Sequence, residues 1–222
     1  MVNDKGDIRN YEHPFVAFDG VVLRCQKEHL EVLLVQRTEP PEAGKWSLPG
    51  GFMDIDRRLD ETLLSKVSEK TGVTGYYMEQ LKTYDAIDRD SRGRILSVAY
   101  LALTNDIHGC GDWFQMNGNK LSYGETALDR ADLAFDHGDI LRDAVERLAG
   151  KLWYSELARH LLPEEFTIRE AWALFDAIEQ KGHSITNFKR DIKNRIIETG
   201  NVRVYAEGRG RPAALYRWKE GG

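Results

Sequence analysis

The first clear pattern in the chain is apolar density rather than helical period. Phe15-Val16-Ala17-Phe18-Asp19-Gly20-Val21-Val22-Leu23 and Val32-Leu33-Leu34-Val35 predict buried strands within residues 15–25 and 32–35, and the polar stretch Gln26-Lys27-Glu28-His29 between them predicts a hairpin turn. Glu39-Pro40-Pro41-Glu42-Ala43-Gly44 predicts a loop. Beyond it Leu59, Leu63 and Val67 recur every fourth residue, an amphipathic helix that Gly72 would close. Met78 to Tyr84 and Ile95 to Leu103 return to strand, the second after the turn Asp90-Ser91-Arg92-Gly93. The Gly-, Asn- and Ser-rich stretch from Gly109 to Gly124, around Trp113-Phe114, predicts a strand and loops and suggests no function of its own. After Asp136-His137-Gly138, the stripe Ile140, Leu141, Ala144, Val145, Leu148 has helical spacing, and Trp153, Leu157 and Leu161 suggest a linker helix. Leu162-Pro163-Glu164-Glu165 breaks the pattern. Strands and helices alternating in this way predict an α/β or α+β body over residues 1–150, with 151–164 as linker.

Residues 165–222 carry a different pattern. Thr167-Ile168-Arg169-Glu170 is a capping-box signature, and Ile168, Trp172, Phe175 and Ile178 mark the inner face of the helix it starts. The turn Lys181-Gly182-His183 leads to a second helix from about Thr186, with Phe188, Ile192 and Ile196 inward and Asn187, Lys189, Arg190, Lys193 and Asn194 outward. Val202-Arg203-Val204-Tyr205 and Ala214-Leu215-Tyr216-Arg217-Trp218 then predict a hairpin wing. Its tip holds Arg209, Gly210, Arg211 and Pro212. The glycines let backbone approach a groove, and the guanidinium groups suit the negative potential of a narrow minor groove. A helix, a short turn, a basic helix and a basic wing predict a reader of double-stranded DNA.

Charge supports that division. The net charge is −5, yet from Lys181 onward ten Lys/Arg face four acids, a surplus of +6 that leaves −11 on the rest. Apolar residues make up 41% of the chain, enough for real cores, and no apolar run approaches the length of a membrane span. The start Met1-Val2-Asn3-Asp4 has no basic, apolar leader, so cytoplasmic residence is expected. Cys25 and Cys110 fit no metal spacing and are expected to be buried or idle thiols.

The chemistry-bearing string is Leu48-Pro49-Gly50-Gly51-Phe52. It opens what resembles a Nudix box, whose carboxylates hold the magnesium ions that activate water against a diphosphate. Counted from Gly51, Arg57 stands where the first Glu belongs, and Ser65-Lys66-Val67-Ser68-Glu69-Lys70-Thr71-Gly72-Val73 follows, with Glu69 alone among the expected acids. Arg57, Lys66 and Lys70 repel a divalent ion as well as failing to bind one. Off-register acids, Asp54, Asp56, Asp60 and Glu61, lack the spacing that a hard cation needs. No catalytic residue, metal or cofactor is therefore assigned.

Together with Leu33-Leu34-Val35-Gln36-Arg37, Ile87 to Arg94, Ala134-Phe135-Asp136-His137, Asn187-Phe188-Lys189-Arg190 and Gly210-Arg211-Pro212-Ala213, this string resembles the NrtR family of Nudix-related regulators over nearly the whole chain. The resemblance implies a Nudix-like α/β/α sandwich fused to a winged helix-turn-helix. It implies a homodimeric repressor of NAD-biosynthesis or salvage genes, bound to a palindromic operator and released by ADP-ribose or a related nucleotide. A diphosphate asks for cations and N–H groups, which Arg37, Gly50, Gly51, Arg89 and Arg94 are placed to supply. Trp46 or Phe52 would cover a base or ribose, and His137 completes the candidate set, with a hydrogen bond to Asp136 as its structural alternative. Two other readings stay open: an active ADP-ribose pyrophosphatase, and a sugar-responsive regulator on the same scaffold.

Overall fold

The computed structural model describes residues 12–72, 76–106, 111–204 and 212–219. Their first part is built on one mixed sheet. β1 (Phe15–Gln26) and β2 (His29–Gln36) form the expected hairpin, turning through Lys27 and Glu28, which both adopt positive φ as a two-residue turn between right-twisted strands demands. β3 (Trp46–Ser47) pairs with β2, and β4 (Gly50–Phe52) pairs with β1. β5 (Tyr77–Tyr84) and β6 (Ile95–Thr104) follow, and β6 runs parallel to β1 from Phe15↔Ile95 to Arg24↔Thr104. The stretch expected to be a strand and loops is a three-strand meander, β7 (Asp112–Asn117), β8 (Lys120–Tyr123) and β9 (Thr126–Asp129). The order among the described residues is β5-β6-β1-β2-β7-β8-β9.

Alternation along β1 divides two layers of core. Phe18 and Val22 face α1 (Leu59–Thr71), where Leu63 and Val67 pack on them together with Leu33 and Trp113. Gly72 closes α1 at φ 66°, a left-handed cap whose N–H donates to the Ser68 carbonyl at 2.7 Å. Val21 and Leu23 face α2 (His137–Lys151), which buries Ile140, Leu141, Ala144 and Leu148.

The expected linker helix over Trp153, Leu157 and Leu161 is instead a turn and a single 3-10 turn, Leu157–His160. Leu152, Leu157, Ala158, Leu161 and Leu162 are buried in the same core as α2, so this segment is packed rather than solvated. The helical spacing of Trp153, Leu157 and Leu161 gives way here to tertiary packing of Leu157 and Leu161 into that core.

α3 (Ile168–Glu179) begins at the anticipated capping box, with the Thr167 hydroxyl accepting from the Glu170 N–H and the Thr167 N–H donating to the Glu170 carboxylate at 2.7 Å. α4 (Ile185–Ile192) buries Phe188 and Ile192. It stops there, and Ile196, expected on its inner face, opens the strand β10 (Ile196–Arg203). The four-residue spacing of Phe188, Ile192 and Ile196 mimics a helix, but Lys193, Asn194 and Arg195 form a turn that delivers Ile196 to the same core from a strand. β10 pairs with β11 (Ala213–Trp218), and Phe166 adds a third edge by exchanging backbone bonds with Tyr216 at 2.9 and 2.8 Å. Two helices against a small sheet with a hairpin form a winged helix.

No helix among the described residues is long and apolar enough to cross a membrane. Cys25 is an idle thiol: burial first, then the carboxylates of Glu170, Glu31 and Glu28, push it up to about 12. Cys110 lies outside the described residues.

Candidate functional site

A cavity of about 320 Å³ opens where the ends of β1, β2 and β4 meet the start of α2. Six of the eight residues expected to touch an effector line it: Arg37, Gly50, Gly51, Phe52, Arg89 and His137. Trp46 does not. Its ring sits edge-on to Phe114 at 4.8 Å and packs against the core, with its carbonyl accepting from the Ala134 N–H. Arg94 does not either, because its Nη1 donates to the Asp85 and Ala86 carbonyls at 2.5 and 3.2 Å.

The base of the cavity is a buried polar cluster. Asp19, set within the apolar run Phe15 to Leu23 of β1, accepts from the Ser97 hydroxyl at 2.5 Å and lies 3.3 Å from His137 Nε2 and 3.5 Å from Arg89 Nη2. Burial pushes its carboxyl up, but His137, Ser97 and Arg89 together outweigh burial and hold it below the ordinary carboxylate value. His137 Nδ1 accepts from the Leu48 N–H at 2.9 Å, which leaves Nε2 as the nitrogen facing Asp19. The expected His137–Asp136 bond is thus replaced by His137–Asp19, and His137 braces the glycine loop instead of presenting a free edge.

Asp136 is engaged elsewhere. Arg89 grips it with two bonds, Nη2 at 2.6 Å and Nε at 2.8 Å, and only 4% of the Arg89 side chain is exposed. Arg89 therefore ties the turn before β6 to the start of α2, with its charge already matched. Arg37 differs. Its Nε and Nη2 donate to the carbonyls of Pro41 and Glu39, and among the described residues no carboxylate pairs with it. Of the three candidate arginines, it keeps an unmatched charge at the cavity.

Sequence reasoning missed the other half of the rim. Arg37 Cζ lies 4.7 Å from the Phe135 ring centroid, Arg92 Cζ lies 5.7 Å from the same ring, and Arg92 Cζ also lies 5.1 Å from the Phe52 ring. Guanidinium groups and rings alternate around the mouth, a surface suited to stacking a planar base. Arg92 is steadied by Asp90 at 2.7 Å, and Phe135 is held at φ 54°, unusual for a bulky residue and a mark of a functional site. One signal for the floor was available in sequence: Asp19, a charge within the apolar run Phe15 to Leu23.

The acid positions of the box fail as a metal site on the chemistry of their donors. Arg57, Lys66 and Lys70 stand at three of them, and at the fourth Glu69 accepts from the Ser65 hydroxyl at 2.7 Å. Of the off-register acids, Asp60 is paired with Arg58 at 3.2 Å. Among the described residues no three His, Cys, Asp or Glu converge. A hard cation asks for several oxygens at one point, and these four positions offer three cations and one carboxylate.

The winged helix presents a second surface. Asn187, Lys189, Arg190 and Lys193 are exposed on and just beyond α4, opposite buried Phe188 and Ile192. The turn before α4 is pinned: Trp172 Nε1 donates to the His183 carbonyl at 2.7 Å and the His183 N–H to Asp176 at 3.0 Å. Lys189, Arg190 and Lys193 border a cleft against Ile196 and Tyr216 of the small sheet. Arg209, Gly210 and Arg211 lie outside the described residues, and Pro212 is exposed just before β11.

Comparison with known proteins joins the two surfaces. A family profile for the NrtR DNA-binding winged helix domain matches residues 158–218, and one for the NUDIX domain matches 13–112. The ADPR responsive transcriptional repressor NtrR of Acinetobacter baylyi is 33% identical over 223 residues, covering 94% of this chain and 84% of that protein. The crystal structure of Shewanella oneidensis NrtR complexed with a 27mer DNA is 34% identical, covering 92% of this chain and 93% of that one at a TM-score of 0.72. The NUDIX domain of the same protein, complexed with ADP ribose, is 36% identical and covers 65% of this chain and 94% of its own, at a TM-score of 0.51.

Proposed function

Since this chain belongs to the NrtR family, we propose that it is a transcriptional repressor whose winged helix binds operator DNA and whose Nudix body binds ADP-ribose. The observation that carries the reading is one cavity whose charge is arranged for binding and not for cutting. Arg37 faces it with no counter-ion among the described residues and an arginine–aromatic rim borders it, while three acid positions of the neighbouring box hold Arg57, Lys66 and Lys70. Binding without turnover lets occupancy report concentration.

In this reading ADP-ribose enters with its diphosphate toward Arg37 and the glycine loop and its base against Phe52, Phe135 and Arg92. Arg89, Asp19 and His137 shape the floor. Lys189, Arg190 and Lys193 meet phosphates, Asn187 reaches a base edge, and the wing residues Arg209 to Pro212 enter the neighbouring groove. A two-fold dimer would set two winged helices on the half-sites of a palindrome among NAD-metabolism genes, in the cytoplasm where the chromosome lies. ADP-ribose would favour the state with the weaker grip on DNA.

Electrophoretic mobility shift on promoter fragments of NAD-biosynthesis and salvage genes tests this. A retarded band that dissolves on adding ADP-ribose is expected, whereas no band at moderate salt would overturn the repressor reading. Magnesium-dependent release of AMP from ADP-ribose would overturn the non-catalytic reading of the box.

A further inference from the structure

We infer that the body carries a second small-molecule site, on the face of the sheet opposite the effector cavity, and that this site takes an uncharged ligand through a primary carboxamide. It stands independently of the ADP-ribose reading, because the residues lining the two cavities do not overlap.

Alternation along β1 decides the face. Asp19 lines the effector cavity, so Phe18, Val22 and Arg24 point the other way, to the side that α1 covers. Register then sets four polar residues in one row across the strands, with Arg24 opposite Glu31, Glu31 opposite Gln115, and Gln115 opposite Ser122. Trp113 lies in the next row on the same face, opposite Leu33, and is buried in the α1 core cluster. A cavity of about 450 Å³ is lined by this row and by Trp113, and Gly111 and Gly124 at its border put no side chain into it.

The bonds along the row leave a defined remainder. Arg24 Nε donates to Glu31 Oε2 at 2.7 Å and its Nη2 to Gln26 at 3.0 Å, while its Cζ lies 4.0 Å from the Trp113 ring centroid. Arg24 Nη1 and Trp113 Nε1 are both buried donors that no acceptor reaches among the described residues. The side chains of Arg24 and Glu31 are only 7% and 9% exposed, so bulk solvent does not stand in for that acceptor. The other Glu31 oxygen, Oε1, accepts no bond among the described residues.

Charge narrows the ligand. Glu31 already matches the Arg24 guanidinium, so the remainder calls for hydrogen bonds and not for an anion; a carboxylate or phosphate would meet Glu31 Oε1 uncompensated. A primary carboxamide has both halves of what is missing. Its carbonyl oxygen, with two lone pairs, accepts from Arg24 Nη1 and Trp113 Nε1, and its NH2 donates to Glu31 Oε1. Gln115 and Ser122, the exposed end of the row, mark the side from which it enters.

The test is heteronuclear NMR of the full-length protein, following the Trp113 indole N–H during titration with benzamide and with benzoate, which has the same ring and a charged head. Benzamide at millimolar concentration is expected to shift that signal saturably downfield, and benzoate should bind at least about tenfold more weakly. Trp113→Phe keeps an aromatic ring and removes the N–H, and calorimetry should show benzamide bound about 5- to 10-fold more weakly, the range for one hydrogen bond. Glu31→Gln leaves Arg24 unmatched and should turn the preference toward benzoate. A Trp113 signal that benzamide does not move would overturn the inference, as would wild-type protein that binds benzoate as tightly as benzamide. Saturating ADP-ribose should leave the shift in place; its disappearance would put benzamide in the effector cavity and overturn the second site. If Trp113→Phe does not fold, the wild-type shift and the benzoate comparison still decide.

Discussion

Replacing Asp136 by Asn keeps the shape of the side chain and removes its charge, which isolates the Arg89–Asp136 clamp at the cavity floor. The Arg89 guanidinium is 4% exposed and makes bonds of 2.6 and 2.8 Å to this one carboxylate. Burial pulls its pKa down, but Asp136, then Asp19 and Asp90, hold it above the ordinary value, so it stays charged in either protein. Removing one partner of a buried pair costs about 3–5 kcal/mol, because the other charge is left unmatched. Two features place Asp136→Asn at the low end: 19% of the Asp136 side chain is exposed, and Asp19 remains 3.5 Å from the same guanidinium. Helix capping adds little, since Asp136 stands at the N-cap of α2 without accepting a side-chain cap bond. The expected loss is about 3 kcal/mol, a shift of about a hundredfold in the folded-to-unfolded ratio. Urea denaturation at pH 7, followed by circular dichroism, measures it. Arg89→Met combined with Asp136→Asn should be less destabilised than the sum of the two single changes, because the double variant buries no unmatched guanidinium. A loss under about 1 kcal/mol for Asp136→Asn, or strict additivity, would refute the claim that the clamp is a coupled buried pair.

Three further outcomes follow from the same structure. Asp19 has a folded pKa held below its unfolded value, so its stabilisation is complete above about pH 4 and is lost as pH falls through the folded value. Thermal melts between pH 7 and 3 should show this acid limb, and Asp19→Asn should flatten it; an unchanged limb would contradict the assignment. Lys189→Ala and Lys193→Ala should each weaken DNA binding across all sequences and lower the slope of log affinity against log salt by about 1, whereas a sequence-dependent loss would mean base contact instead. Calorimetric unfolding should be a single transition, because one apolar cluster runs from Val21 and Leu23 through α2 to Phe175, Phe188 and Ile192. Two resolved peaks would show that the halves do not share that core energetically.

Much of this architecture was legible because local patterns and tertiary packing agree. The β1–β2 hairpin, α1 with its Gly72 stop and the Thr167 capping box all follow from spacing and cap chemistry that act within a few residues. Where they diverged, the deciding contact was distant. Ile196 has helical spacing from Ile192, yet the turn through Arg195 is held by bonds from its guanidinium to the carbonyls of Leu152 and Ser155, about forty residues away. The site shows the same limit more sharply. Arg37, Arg89 and Arg94 read alike in sequence as candidate phosphate contacts. Asp136, 47 residues from Arg89, takes that guanidinium out of play, and the Asp85 and Ala86 carbonyls draw Arg94 away. Phe135 stood inside the string Ala134-Phe135-Asp136-His137, but nothing in sequence marked it as a rim residue, since its positive φ arises from the turn that starts α2.

The segment expected to be a linker matters most for how the two surfaces communicate. A solvated linker would let the body and the winged helix reorient independently, and occupancy of the cavity would have no route to DNA. Here α2 starts in the cavity, where Asp136 and His137 meet Arg89 and Asp19. It runs 15 residues, about 22 Å, to Leu152. At that end Arg195, which follows α4, donates to the Leu152 and Ser155 carbonyls at 2.9 and 2.5 Å, while Trp153 packs edge-on against Phe175 and Phe188. A close-packed core transmits displacement because its side chains have few alternative arrangements. A ligand that shifts Asp136 relative to Asp19 would act on the start of α2, whose far end is bonded to the turn after α4. The buried contacts predicted to give a single unfolding transition are the same ones that would couple the cavity to α4, so two resolved calorimetric peaks would remove this route as well.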